Sequence, residues 1–130
     1  KQKLGDLASK KITILGTAFK PDTDDIRDSI AIELIKKLLK KKAKIIIHDP
    51  KAMKNTKRIF EDKINYAKTV EDALSKSHCV IIMTQWKQYT KLNNNHFKYM
   101  TKKFVIDCRR MLVKKQLDVD YIAIGLGKEN

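Results

Sequence analysis

Short apolar runs recur along this chain, and each except the last is followed by a stretch with helical character. The runs are Ile12–Leu15, Ile45–Ile47, Cys79–Met83, Phe104–Ile106 and Tyr121–Ile124. A strand with one face in water alternates apolar and polar residues, whereas a run with almost no polar break is buried on both faces. Strands of that kind, alternating with helices, make a parallel sheet with helices on both sides. Between the runs, residues 29–42 carry Ile30, Leu34, Ile35, Leu38 and Leu39 at helical spacing, with Ser29 as the candidate cap. Further helices are expected over 51–60, over 70–76 behind the capping pattern Thr69-x-x-Asp72, and near 93–99. Ile64–Ala67 reads as a short extra strand, and Thr84-Gln85-Trp86 as a loop. The expected fold is α/β: a Rossmann-like, doubly wound, mostly parallel six-stranded sheet with helices on both faces.

A length of 130 residues suits one core, and a hydrophobic fraction of 42% is too high for a disordered tail. Residues 1–10 read as a linker or the frayed end of a preceding helix. The chain opens on Lys1 rather than Met, so a piece of something longer is expected. No apolar run reaches the length of a membrane span, and the first ten residues hold no signal-peptide core, so no membrane partner and a cytoplasmic location are expected. Cys79 and Cys108 lie in or beside separate apolar runs and read as buried thiols. The net charge of +14 raises a nucleic-acid reading. Against it, the densest cluster, Lys36-Lys37 and Lys40-Lys41-Lys42, falls at a helix end, where cations complement the dipole. Nucleic acid is therefore not the expected partner.

The chemistry concentrates after the first strand. Residues 16–30 form a long polar loop with Phe19, Lys20 and Arg27, placed where open α/β sheets bind ligands. Two cations, a ring and a helix start suit an anionic, partly aromatic ligand such as a nucleotide. The glycine fingerprint of a dinucleotide site is absent, because Thr17, Ala18 and Phe19 follow Gly16. Any phosphate is then met by side chains, with Lys20 and Arg27 as donors.

The segment Gly16-x-Ala18-Phe19-Lys20-Pro21-x-Thr23-Asp24-Asp25-x-Arg27-x-Ser29 resembles the opening of the C-terminal domain of the UDP-glucose/GDP-mannose dehydrogenase family. The likeness continues in order through Asp49-Pro50-Lys51-Ala52-Met53, Thr84-x-Trp86 and Asp107-x-Arg109, and looks nearest to the UDP-glucose branch. Two positions depart from the family pattern: Ile30 stands where Pro is usual, and Cys108 where Gly is. Members of the family oxidise sugar C6 to a carboxylate with two molecules of NAD. The resemblance implies that residues 11–130 are the UDP-sugar-binding domain of a longer, homo-oligomeric enzyme of polysaccharide biosynthesis, with 1–10 as the join to a central helix. It implies that Phe19, Lys20 and Arg109 contact the UDP-sugar and that Arg27 reaches NAD bound mainly by an N-terminal domain. The nucleophilic cysteine lies in a glycine-rich motif that neither Cys79 nor Cys108 occupies, so no catalytic residue is expected in this chain.

Each of these residues also has a plainer reading. Lys20 is otherwise a solvated lysine beside a core Phe19, and Arg27 an ion-pair partner of Asp24, Asp25 or Asp28. Asp49 stands where a dinucleotide-binding domain puts its ribose acid, but reads as a turn carboxylate before Pro50. Trp86 reads as packing beneath its loop, with ligand contact as the alternative, and His48 as structural or exposed. No metal-ligand spacing exists among the His and Cys residues. Other readings are a stand-alone nucleotide-binding module, a basic nucleic-acid protein, or a related GDP-mannose or UDP-N-acetylhexosamine dehydrogenase.

Overall fold

Strand β1 (Lys11–Leu15) forms the middle of the sheet. It pairs on one side with β2 (Lys44–His48) and on the other with β4 (Cys79–Ile82). Outside them lie β3 (Asn65–Tyr66), β5 (Phe104–Asp107) and β6 (Asp120–Ala123). All pairings are parallel and the order is β3-β2-β1-β4-β5-β6. The computed structural model describes residues 6–18, 20–113 and 115–124. The expected class holds, with the sheet parallel throughout.

Alternation along each strand divides the core in two. Ile12, Ile14, Ile45, Ile47, Cys79 and Ile81 pack with helix α1 (Ile30–Lys40) and with Phe60 of α2 (Met53–Phe60). Leu15, Val80, Ile82 and Val105 pack on the opposite face with α3 (Val70–Leu74) and with Phe97 of α4 (Asn94–Phe97). Helix α1 inserts Ile32, Ile35 and Leu38. Burying those three side chains contributes roughly 5–9 kcal/mol as an upper bound.

The helix ends differ in part from expectation. Thr69 caps α3 as its sequence suggests, accepting the Asp72 N–H at 3.1 Å. Ser29 occupies the N-cap position of α1 but its hydroxyl donates instead to the Thr17 carbonyl at 2.8 Å, tying helix to loop. At the far end, Ala43 N–H bonds the Leu38 carbonyl and Lys42 N–H the Leu39 carbonyl, with Lys42 at φ 66. That is the left-handed helix stop usually given to glycine. The expected strand over 64–67 shrinks to two residues, and a 3-10 turn at Lys87–Lys91 follows the Thr84–Trp86 loop, where no element was expected. Asn93 and His96 form a reciprocal capping box on α4 that no sequence expectation included.

Cys79 and Cys108 are buried free thiols, with burial pushing them up to about 12 and about 11 respectively. Among the described residues no helix is long and apolar enough to cross a membrane.

Gly16 ends β1 at φ +96, and a Cβ there would lie 2.7 Å from the Thr84 amide nitrogen and closer still to the Thr84 side chain. The first loop and the loop after β4 touch at this point with no room for a methyl. Gly16→Ala is expected to cost roughly 2–4 kcal/mol, combining overpacking with left-handed strain. A urea midpoint within 0.2 M or so of the wild type would contradict that contact.

Candidate functional site

At the carboxyl edge of the sheet the connections from β1 and β4 leave in opposite directions, which opens a cleft at the switch point. The cleft measures about 430 Å³. The first loop supplies Ala18, Lys20, Pro21, Asp28 and Ser29; α1 adds Ile30 and Ala31; the loop after β4 adds Met83 and Gln85; and the turn after β5 adds Arg109. Lys20 and Arg109, 89 positions apart in sequence, thus share one cleft. Phe19 lies outside the described residues.

Arg109 is set by the strand beneath it. Asp107 closes β5 fully buried, and its carboxylate accepts the N–H groups of Arg109 at 3.1 Å and Leu112 at 2.7 Å, plus the Tyr121 hydroxyl at 2.8 Å. The turn is thereby fastened, and Arg110 follows in the left-handed region at φ 55. The Arg109 Nε–H then donates to the Met83 carbonyl at 2.7 Å, which holds the guanidinium beside the cleft wall. Burial, followed by the bond to Asp107, pushes the Tyr121 phenol up.

Asp49 does more than close a turn. One carboxylate oxygen accepts Lys51 N–H at 2.9 Å and Ala52 N–H at 2.7 Å, which starts α2. The other accepts Thr17 N–H at 2.8 Å, Ala18 N–H at 3.0 Å and the Trp86 indole N–H at 3.0 Å. Only 1% of Asp49 is exposed. One carboxylate therefore joins the loops after β1, β2 and β4. Trp86 is buried, as its packing reading holds, and its polar end serves this junction. The backbone donors of the first loop, which would face a pyrophosphate in the ordinary dinucleotide mode, are consumed by Asp49. With a single glycine in that loop, the residues present do not fit a dinucleotide at this seat.

Arg27 stands apart from the cleft. It bonds Asp25 through Nε at 3.0 Å and Nη2 at 2.8 Å, with its own side chain 87% exposed. Among the three carboxylates considered for it, Asp25 is the partner, and the Arg27 side chain holds that carboxyl down to about 2. Asp25 sits in local turn bonding, its N–H donating to Thr23 Oγ1 at 3.1 Å, while the Asp24 carbonyl accepts from the Asn55 side-chain amide at 2.8 Å. Among the described residues no group of His, Cys, Asp and Glu is gathered to hold a metal ion.

Sequence reasoning missed Gln85 and Asp107 as shapers of the site. A polar residue closing an apolar strand at the ligand edge was the available signal for Asp107. His48, also at a strand end, is buried against Tyr89, and its Nδ1 lies 2.9 Å from the Tyr89 hydroxyl. That hydroxyl donates to the His48 carbonyl at 2.9 Å, so a proton on Nδ1 satisfies both bonds at once.

These features define a doubly wound α/β domain with a cation-flanked cleft at its switch point and a closed dinucleotide turn. The model of the UDP-glucose/GDP-mannose dehydrogenase family, UDP binding domain, matches residues 13–114, and the chain belongs to that family. The UDP-glucose 6-dehydrogenase AglM of Haloferax volcanii is 40% identical over 116 residues, which is 89% of this chain and 26% of that protein. A UDP-glucose dehydrogenase from the hyperthermophilic archaeon Pyrobaculum islandicum superposes with a TM-score of 0.80 at 32% identity, over 93% of this chain and 26% of that one. The UDP-N-acetyl-mannosamine dehydrogenase Cap5O from Staphylococcus aureus gives 0.76 at 25% identity, over 96% and 28%. The chain spans about a quarter of the length of these relatives.

Removing the Asp49 carboxylate leaves five donors unmatched, three of them in the loops that frame the cleft. Asp49→Ala is expected to cost on the order of 3–5 kcal/mol, read as a fall in the denaturant midpoint. An unchanged midpoint would mean that the junction contributes nothing.

Acid sensitivity follows from two histidines. Burial holds His48 below its ordinary value, against an upward pull from Asp49 and Glu71. Burial, then Lys10 and Lys102, does the same for His78, whose Nδ1 accepts the Lys11 N–H at 3.1 Å. The unfolded chain therefore binds more protons than the folded one below about pH 6.5, and stability falls as pH drops through that value. Each histidine adds a slope of up to about 1.4 kcal/mol per pH unit. Denaturation between pH 5 and 7.5 should show the loss, and His78→Gln should lessen it; a flat profile would contradict both placements.

Proposed function

We propose that this domain is the nucleotide-sugar-binding part of an NAD-dependent UDP-glucose 6-dehydrogenase, converting UDP-glucose to UDP-glucuronate as two NAD are reduced. The observation that carries the reading is the meeting of Lys20 and Arg109 in one cleft at the switch point. An ammonium and a planar guanidinium on its walls suit a diphosphate, the first as a point charge and the second through paired N–H groups. Phe19 is assigned to the same ligand on its sequence position alone. The relatives named for UDP-glucose, at 40% and 32% identity, favour glucose as the sugar over an N-acetylhexosamine.

Residues 11–130 are the domain and 1–10 the join to a central helix of the same enzyme. The closed turn beside Asp49 leaves NAD to the rest of the polypeptide, and Arg27, held out by Asp25, is the residue proposed to reach it. The work of this domain is then to supply binding energy, hold the substrate in register and exclude water. The sugar and the reacting carbon are handled elsewhere. The enzyme is taken to be cytoplasmic and homo-oligomeric.

In the full polypeptide, Arg109→Ala should weaken UDP-glucose by 10- to 100-fold, matching a lost charge-assisted bond of roughly 1.5–3 kcal/mol. Calorimetric titration reads this directly, and an unchanged affinity would remove Arg109 from the site. Residues 1–130 alone should produce no NADH from NAD and UDP-glucose. Parallel titrations with GDP-mannose and a UDP-N-acetylhexosamine fix the sugar, and a stronger response to either would replace UDP-glucose in the assignment.

A further inference from the structure

The edge of the sheet opposite the cleft is a field of lysines. Strand register sets Lys44 beside Lys11. His78 comes next, since its N–H bonds the Lys11 carbonyl at 2.8 Å. Lys103 immediately precedes β5, the neighbour of β4. Four adjacent strand entries thus carry a Lys, Lys, His, Lys row spaced at roughly 4.8 Å. The row widens towards both faces. On the α1 side are Lys41 and Lys42, the latter joined to residue 9 through its carbonyl. On the other side Lys76 N–H bonds the Tyr99 carbonyl, and Lys102 N–H bonds the Ser77 carbonyl. Tyr99 is 54% exposed, with the Lys98 ammonium 5.2 Å from its ring centroid. Acidic residues border this edge as well: Asp6, Glu61 and Asp62 in the turn that leads into β3, and Asp118 and Asp120 at the entry to β6, so the positive charge is densest over the four central strands.

The cations crowd one another. Lys11 is held below its ordinary value by burial and by Lys76, and Lys10 and Lys102 bear on His78 in the same direction. Crowding of like charge is relieved by an external anion. The array extends in two dimensions and uses lysine without arginine, so it favours diffuse charge over bidentate recognition of single groups. A strand of nucleic acid asks instead for a groove with several stacking rings, and among the described residues Tyr99 is the one exposed aromatic ring at this edge. A planar anionic surface needs neither.

We propose that the amino edge of this sheet docks on the headgroups of an anionic lipid bilayer, leaving the nucleotide cleft facing solution. The attachment is peripheral and electrostatic, so it needs no spanning helix; the expectation of no membrane partner rested on the lack of such a run. Tyr99 adds an interfacial ring. The reading is independent of what occupies the cleft.

The test is co-sedimentation of the full polypeptide with vesicles of phosphatidylcholine, alone or with 30% phosphatidylglycerol. Binding is expected only with the anionic lipid, and it should weaken at least about tenfold between 50 and 300 mM salt. Lys44→Glu, Lys76→Glu and Lys103→Glu together should cut binding by at least about tenfold. The same net charge change made at Lys54, Lys68 and Lys87, away from this edge, should alter it by less than about threefold. All six side chains are exposed, and UDP-glucose affinity should be unchanged in both variants. No sedimentation with anionic vesicles at 50 mM salt overturns the proposal. So does an equal loss in both variants, or capture by single-stranded oligonucleotide without capture by vesicles.

Discussion

The buried carboxylate of Asp49 fixes the upper edge of this domain. Five N–H groups converge on it from three loops. None of those loops is anchored by an apolar side chain alone, since their backbones must clear the strand ends and turn towards different helices. A negative charge removed from water is costly unless it is densely hydrogen bonded. Here the density is supplied by the very loops that need fastening, so the cost of burying the ion and the need to order the loops offset each other. Asp107 repeats the arrangement at the end of β5, three strands from β2, with Arg109, Leu112 and Tyr121 as its donors.

This has a direct bearing on how the ligand edge works. Open α/β domains often present backbone N–H groups to a phosphate at the first turn. In this domain those groups already hold an internal anion. Positive charge at the cleft has to come from side chains, and it comes from Lys20 and Arg109 on two separate crossings. Side-chain donors reach farther than backbone amides and can be placed around a larger ligand. The fold retains the location of the dinucleotide site while changing the chemistry at it.

Much of the architecture was legible in the sequence because most of the apolar runs report burial on two faces; Tyr121–Ile124 is the exception, since β6 is an edge strand that leaves Ile122 and Ile124 exposed. Ile45–Ile47 and Cys79–Ile82 form strands as their composition indicates, and Thr69-x-x-Asp72 is a cap by local geometry alone. What could not be read was any feature that depends on a partner far along the chain. Ser29 has the composition of a helix cap, yet its hydroxyl goes to Thr17 across the loop. Asp49 looks like a turn residue from its neighbours, and its bonds to Thr17, Ala18 and Trp86 appear only once β1, β2 and β4 are side by side. Ile64–Ala67 has strand composition, but as an outermost strand it finds one neighbour and pairs over two residues. Within the cleft, Lys20 and Arg109 were legible as individual motif positions; Gln85 and Ile30 join them through topology.

The order in which strands are laid down along the chain, set against their order in space, also governs when the cleft can exist. Its walls come from residues 18–31, 83–85 and 109. A chain emerging from the ribosome amino end first has its earliest cleft residues in hand long before the strand that carries the last one. Until β4 slots in beside β1, the first loop has no opposite bank, and Trp86 has not reached its carboxylate. A ligand in this cleft can therefore stabilise a nascent domain only after nearly all of the sheet is complete, and a polypeptide stalled before residue 109 lacks the last wall of the cleft.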